Sequence, residues 1–184
     1  MGQYYSILTK NEQETLVWSM QCKKFRTTNN FDYYIGVKLM EHSYYGNTLT
    51  DAVSTYLYRN PTELYWVGDY ADDVRPDIHE QVYGENTPQE YDYDFDEPFD
   101  YDSSWFVNHT KKVAFQLLTP EKWNDWEIYP ISLLTAVGNG MGGGDYFGDK
   151  MEIVGTWAGD IVSIEDALPQ GYQQIPHPRF AEHR

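Results

Sequence analysis

The clearest helical spacing in this chain is confined to one stretch, where Leu49, Ala52, Val53, Tyr56 and Leu57 follow Asn47 and the pattern stops at Pro61. That spacing predicts an amphipathic helix over about 48–59, with Thr48 and Asp51 placed like a capping box. Elsewhere the apolar residues come in short runs rich in aromatic and β-branched side chains, at 3–8, 15–20, 63–68, 105–107, 113–118, 131–134, 153–157 and 161–164. Residues of that kind pack best on a pleated surface. The polar stretch 10–14 separates a first strand pair, and Asn108-His109-Thr110-Lys111 separates a second as a hairpin. The expected fold is α+β: a single domain over 1–184, mainly antiparallel sheet with one amphipathic helix.

With 184 residues, 41% hydrophobic and 17% aromatic, the chain can bury a core without disulfide or metal staples. The single cysteine, Cys22, excludes an intrachain disulfide. No apolar run is long enough to span a bilayer and nothing reads as a signal peptide, so the expectation is a cytoplasmic protein with no membrane association. Met1-Gly2-Gln3-Tyr4-Tyr5-Ser6 matches the myristoylation pattern, but one acyl chain without a basic patch anchors only marginally.

Thirteen basic against twenty-nine acidic residues give a net charge of −16. Such a field repels phosphate backbones, which argues against direct nucleic-acid binding, and attracts basic proteins. The acid is concentrated in an acidic aromatic segment at 85–104, above all in Glu90-Tyr-Asp-Tyr-Asp-Phe-Asp-Glu-Pro-Phe-Asp-Tyr-Asp102. Two-residue alternation there puts Asp92, Asp94 and Asp96 on one side of an extended chain and Tyr91, Tyr93 and Phe95 on the other. If the rings find a core, this is a docked ribbon with an acid face, and Asp92, Asp94, Asp96, Glu97, Asp100 and Asp102 are candidate partner-binding residues. If they do not, it is a mobile acidic loop. Residues 170–184, with Pro176 and Pro178, read as a peripheral tail.

Gly138, Gly140 and Gly143 spell G-x-G-x-x-G within Thr135 to Asp149. A dinucleotide cradle needs a strand before and a helix after it, so that the phosphates meet free N–H groups and a helix dipole. Here Asp145-Tyr146-Phe147-Gly148-Asp149 follows, and two aspartates would repel phosphate; the glycines read instead as a close-packed or partner-facing loop. Asp69, Asp72 and Asp73 could hold Mg²⁺ or Ca²⁺, yet strand-end acids more often cap a turn, and no metal or cofactor is expected. Asp92-x-Asp94-x-Asp96 fails as an EF-hand loop because Glu97 stands in the glycine position and Ser103 in that of the bidentate glutamate. No H-E-x-x-H or G-x-S-x-G occurs, no catalytic residue is assigned, and His42 and His109 read as structural histidines before general bases.

Several motifs together carry a resemblance: Met1-Gly-Gln-Tyr-Tyr5, Lys38-Leu-Met-Glu-His-Ser43 with Gly46-Asn47, Trp66-Val-Gly-Asp-Tyr-Ala-Asp72, Asn108-His-Thr-Lys-Lys112, the stretch from Leu133 to Gly148, and Val154-Gly-Thr-Trp-Ala-Gly-Asp160. Nearly end to end, the chain resembles an uncharacterised family of bacterial and bacteriophage proteins. The resemblance implies no known reaction. Its bacterial members often carry arginine where this chain has Met141 and again near Gly159, and the acidic segment looks particular to this chain. The expected function is therefore that of a phage or mobile-element accessory protein. Its acidic surface would block the basic groove of a host nucleic-acid-binding defence protein, such as a CRISPR effector, in the host cytoplasm. The alternative is an enzyme or nucleotide-type ligand binder whose polar loop site gathers His42, Asp69, Asp72, His109, Lys111 and Asp145.

Overall fold

A computed structural model describes residues 4–18, 43–85, 87, 90–91, 98–118, 127–138 and 146–181. In chain order they form β1 (Tyr5–Lys10), β2 (Thr15–Trp18), α1 (Thr48–Leu57), β3 (Thr62–Gly68), α2 (Pro76–Tyr83), β4 (Glu90–Tyr91), β5 (Trp105–Asn108), β6 (Val113–Gln116), α3 (Pro130–Leu134), β7 (Ala136–Val137), β8 (Ile161–Glu165) and β9 (Gln173–Gln174). The fold is α+β, and the described strands make one sheet in the order β4-β2-β1-β3-β8-β5-β6-β9, with β7 also paired to β3. The long pairings are antiparallel, and β4, β7 and β9 are two-residue parallel additions.

The strand pair at the N-terminus closes through Asn11, whose side-chain oxygen accepts from the N–H groups of Gln13 and Glu14 at 2.9 and 3.0 Å. Alternation then sorts the side chains. Tyr5 and Ile7 join a core shared with α1, while Leu8 joins a second core under α2. β3 follows the same rule, with Leu64 and Trp66 facing α1 and Tyr65 and Val67 facing α2. A strand buried on both faces reads as a continuous apolar run, as Leu-Tyr-Trp-Val does.

α1 matches the expected helix, ending at Leu57 rather than residue 59. Its N-cap is Asn47, one residue before the Thr48 expected to open the helix, and the Asn47 side chain accepts from Leu49 N–H at 3.0 Å. Asp51 is buried. α2 escaped the sequence reading because only Ile78 and Val82 are buried, a stripe too narrow to show as a period. Pro76 at its first turn marks the start.

Two expected strands differ. Residues 131–134 lie in α3, where Pro130 pre-sets the first turn and every residue is buried, so that no periodicity could distinguish helix from strand. Residues 153–157 run from a 3₁₀ turn (Met151–Ile153) into successive turns. There the N–H groups of Gly155 and Trp157 bond the Leu133 and Leu134 carbonyls at 2.8 Å, satisfying the C-terminal end of α3. The segment expected to be a peripheral tail is docked as far as residue 181. Ile175 N–H bonds the Ala114 carbonyl at 2.8 Å, Phe180 is buried, and the Ala181 carbonyl accepts from Tyr146 Oη at 2.8 Å and Asp149 N–H at 3.0 Å.

Gly159 lets the chain pass beside β3. Its φ is +81°, its N–H bonds the Leu64 carbonyl at 2.9 Å, and a Cβ there would stand 2.5 Å from Tyr65 Oη. Gly171 has φ +84° with open space around it. Gly171→Ala is therefore expected to lose only about 1–2 kcal/mol of stability, through backbone strain, and Gly159→Ala at least about 1 kcal/mol more, from overpacking against Tyr65. Urea unfolding of the two variants beside the wild type measures the difference.

Candidate functional site

The polar loop residues are held at opposite ends of β3. Asp69 follows its last residue, where its N–H bonds the Tyr4 carbonyl at 2.8 Å and its Oδ1 accepts from Tyr4 N–H at 3.1 Å. Asp72 lies exposed on a 3₁₀ turn (Ala71–Asp73). His109 and Lys111 sit in the β5–β6 turn, beside Asp160 and Ile161, and Ile161 pairs with Glu63 at the start of β3. Glu63 and Asp69 are six positions apart on an extended chain, roughly 20 Å. Asp69 and Asp72 therefore do not meet His109 and Lys111, and His42 and Asp145 lie outside the described residues. Among the described residues no cluster of three or more metal-capable side chains gathers.

At the His109 end the hydrogen bonds run in one direction. Ser163 Oγ donates to Glu165 Oε1 at 2.6 Å, so its oxygen accepts from His109 Nε2–H at 2.8 Å, and His109 Nδ1 accepts from Tyr172 Oη at 3.0 Å. A nucleophilic serine must do the reverse and give its proton to the histidine. Ser163 is also fully buried. Burial lowers the imidazole pKa of His109, with the Glu165 charge acting the other way. His109 is thus a structural histidine that ties the 166–172 segment to the sheet. Next to it Asn108 Nδ2 donates to Asp160 Oδ2 at 2.7 Å, and Lys111 pairs with the same oxygen.

The glycine stretch is described on its flanks. β7 precedes it, and Tyr146 to Asp149 follow without a helix. Gly148 packs its backbone against the Ala181 carbonyl and the Tyr146 ring, so close that a Cβ has no room. Gly140, Gly143 and Asp145 lie outside the described residues. An open cleft of about 670 Å³ is lined by Lys10, Glu12, Arg59, Glu63 and Ile161 among others. Its charges are already engaged in part, since Arg59 pairs with Asp166 and Lys10 lies 5.5 Å from the Tyr65 ring centroid.

The described end of the acidic segment is a docked one. Phe99 is half-buried and Tyr101 is 1% exposed, whereas Asp100 and Asp102 are exposed. Asp100 Oδ1 accepts from Asp102 N–H at 2.9 Å, closing a tight turn that passes through Ser103 at φ +62°. Beneath it, Tyr101 Oη donates to Asp51 Oδ1 at 2.6 Å, and Ser54 Oγ lies 2.6 Å from Tyr129 Oη. The Tyr45 ring stands edge-on to Tyr101 and Tyr129, with centroids 5.2 and 5.4 Å away. Burial raises the Asp51 carboxyl above the usual carboxylate range and raises the Tyr45, Tyr101 and Tyr129 hydroxyls as well. Composition had placed the acids, but nothing in the local pattern distinguished the buried Asp51 from the exposed ones. Asp92, Asp94, Asp96 and Glu97 lie outside the described residues.

His177 completes this core from the C-terminal side, its Nε2 2.9 Å from Tyr45 Oη and its Nδ1 buried without a partner. Burial, helped by Arg179 and Lys150, lowers its pKa from 6.5 to about 4. A base depressed in the fold contributes stability that is complete above its unfolded pKa and is lost as pH falls through the window down to the folded one, about 3 kcal/mol in all. Urea melts at pH 7 and pH 4.5 are expected to show the wild type losing most of that contribution. His177→Gln, which can still meet Tyr45 Oη, should lack this part of the acid limb.

Set beside known proteins, the chain matches no family model, no curated protein and no solved structure.

Proposed function

We propose that this protein acts by binding, presenting an acidic face to the basic nucleic-acid groove of a partner protein. The observation that carries the reading is the in-and-out pattern at 99–102. Phe99 and Tyr101 hold the segment to the body while Asp100 and Asp102 face solvent, in a chain of net charge −16. Fixed carboxylates on a docked ribbon can replace the phosphate contacts of such a groove, and an ordered surface loses less entropy on binding than a loose one. The resemblance to bacterial and phage proteins supports a host defence protein as the partner, with a CRISPR effector the first to test. A nucleotide-type site built from Asp69, Asp72, His109 and Lys111 is less favoured, because these residues stand at the two ends of β3.

The test compares two variants with equal charge changes. One neutralises Asp92, Asp94, Asp96, Asp100 and Asp102 to asparagine. The other neutralises Glu12, Glu14, Asp72, Asp73 and Asp77. Affinity capture from bacterial lysate at low and high salt, with the captured species identified, is expected to show a protein held at low salt and released at high salt. The first variant should lose it and the second keep it. Equal loss in both would reduce the effect to net charge, and capture of nucleic acid in place of protein would reject the reading.

A further inference from the structure

The acidic turn has a buried point of attachment that is itself a carboxylate. Asp51 is 4% exposed, in the first turn of α1. Its Oδ1 accepts from Tyr101 Oη at 2.6 Å, and the Phe99 backbone also favours its charged form. Both groups belong to the segment that carries Asp100 and Asp102. The remaining hold on that segment is aromatic: Tyr101 is 1% exposed, with the Tyr45 and Tyr129 rings at 5.2 and 6.4 Å, and the Phe99 ring lies 4.8 Å from Tyr101 and 6.2 Å from the half-exposed Tyr58. Farther on, Ser104 N–H bonds the Tyr101 carbonyl at 3.1 Å, and Leu117 N–H bonds the Ser104 carbonyl at 2.8 Å, joining the segment to the strand that follows β5.

A buried carboxylate is a poor way to gain stability, because desolvation offsets most of what its hydrogen bonds return. What it supplies is direction. Asp51 Oδ1 gives the Tyr101 hydroxyl one fixed acceptor to point at. The neighbouring hydroxyls do not compete for it. Ser54 Oγ donates to the Thr50 carbonyl at 2.7 Å and meets Tyr129 Oη at 2.6 Å, which leaves Tyr101 Oη to Asp51.

We propose that Asp51 is the catch of a latch: it holds the 98–104 segment against α1 through Tyr101, and the segment releases as a unit, without global unfolding, when that catch is weakened. In its use, this inference rests on the acid-face reading above, since the latched state is the one that fixes Asp100 and Asp102 for a basic partner. Tyr101 faces Asp51 from the segment, and Ser54 on α1 and the rings of Tyr45 and Tyr129 surround Tyr101. Closure raises the carboxyl pKa of Asp51, so proton uptake favours the closed state. The latch therefore tightens as pH falls and eases as pH rises through the folded pKa.

Native-state hydrogen exchange, expressed as protection factors, tests this with Tyr101→Phe and Asp51→Asn. Tyr101→Phe, which takes away the donor and leaves the carboxylate, is expected to lower protection of the Asp102, Ser104 and Leu117 amides by about tenfold or more, as for a hydrogen bond to a charged group. Asp51→Asn, neutral like the protonated acid, should keep that protection at or above the wild-type level and make it independent of pH. Amides of β1 and β3 should be unchanged in both. In the wild type, protection of those three amides is expected to rise as pH is lowered. Equal loss at β1 and β3 or no loss at the segment in Tyr101→Phe, or segment loss or the wild-type pH profile in Asp51→Asn, would each overturn the latch. Affinity for a 20-residue polylysine peptide serves as a separate arm. Weaker binding by Tyr101→Phe, which keeps every charge, supports the positioning role, and unchanged binding overturns that role. Failure of the wild type itself to bind polylysine counts against the acid-face reading and leaves the exchange result to decide the latch.

Discussion

The double burial of β3 is the constraint around which the described structure is arranged. Along one edge β3 has β1 as its partner from Glu63 to Gly68, and along the other its partner changes part-way. Val162 and Ile161 of β8 face Thr62 and Glu63, Gly159 N–H just before β8 takes the Leu64 carbonyl, and Ala136 and Val137 of β7 pair with Trp66 and Val67. Two separate segments thus share one edge of a single seven-residue strand. An unpaired peptide group at that depth would cost as much as a lost hydrogen bond or more. The substitution of partners is possible only because Gly155 and Gly159 adopt positive φ, at +74° and +81°, where the chain must turn against Ala136 and Tyr65.

That arrangement explains what could and could not be seen in the residues alone. Helix α1 and the strands β1, β2, β3, β5, β6 and β8 were legible because each carries its own period, or a long apolar run with turn residues at its ends. Short elements whose form is dictated from outside were not. α3 has five residues, all buried, and its helical form follows from Pro130 and from the N–H groups that reach it from Gly155 and Trp157. Residues 153–157 have the composition of a strand, but their donors go to α3 and not to a ladder. The two glycines of Val154-Gly-Thr-Trp-Ala-Gly were visible, yet their meaning depends on Ala136 and Tyr65, residues far away in the chain.

The candidate sites show the same division. Net charge and the alternation of ring and acid were properties of the sequence, and at 99–102 the burial pattern follows that alternation. The grouping of Asp69 and Asp72 with His109 and Lys111 was drawn from residue type, and the sheet separates them because β3 lies between. His109 illustrates why residue type alone misleads. A histidine beside a serine and a glutamate invites a catalytic reading, and only the direction of the Ser163 proton, toward Glu165, removes it.

A chain with so much acid faces a further problem: where to place carboxylates near a core built from tyrosine. Tyrosine supplies a solution that phenylalanine could not, because its ring fills apolar space while its hydroxyl can donate to a buried acceptor. Tyr101 donates to Asp51, Tyr129 meets Ser54, and Tyr45 meets His177, so the rings that pack α1 against the 98–104 and C-terminal segments also answer the polar groups those segments bring. The same rings stand edge to face at 5.2 and 5.4 Å around Tyr45, a geometry that favours one fixed arrangement over several. Burying polar groups in this way adds little to net stability, but hydrogen-bonded networks hold their members in one orientation. Here the oriented members lie directly beneath the exposed Asp100 and Asp102, so the cost of burying Asp51 is borne where a fixed surface charge has the most to gain from it.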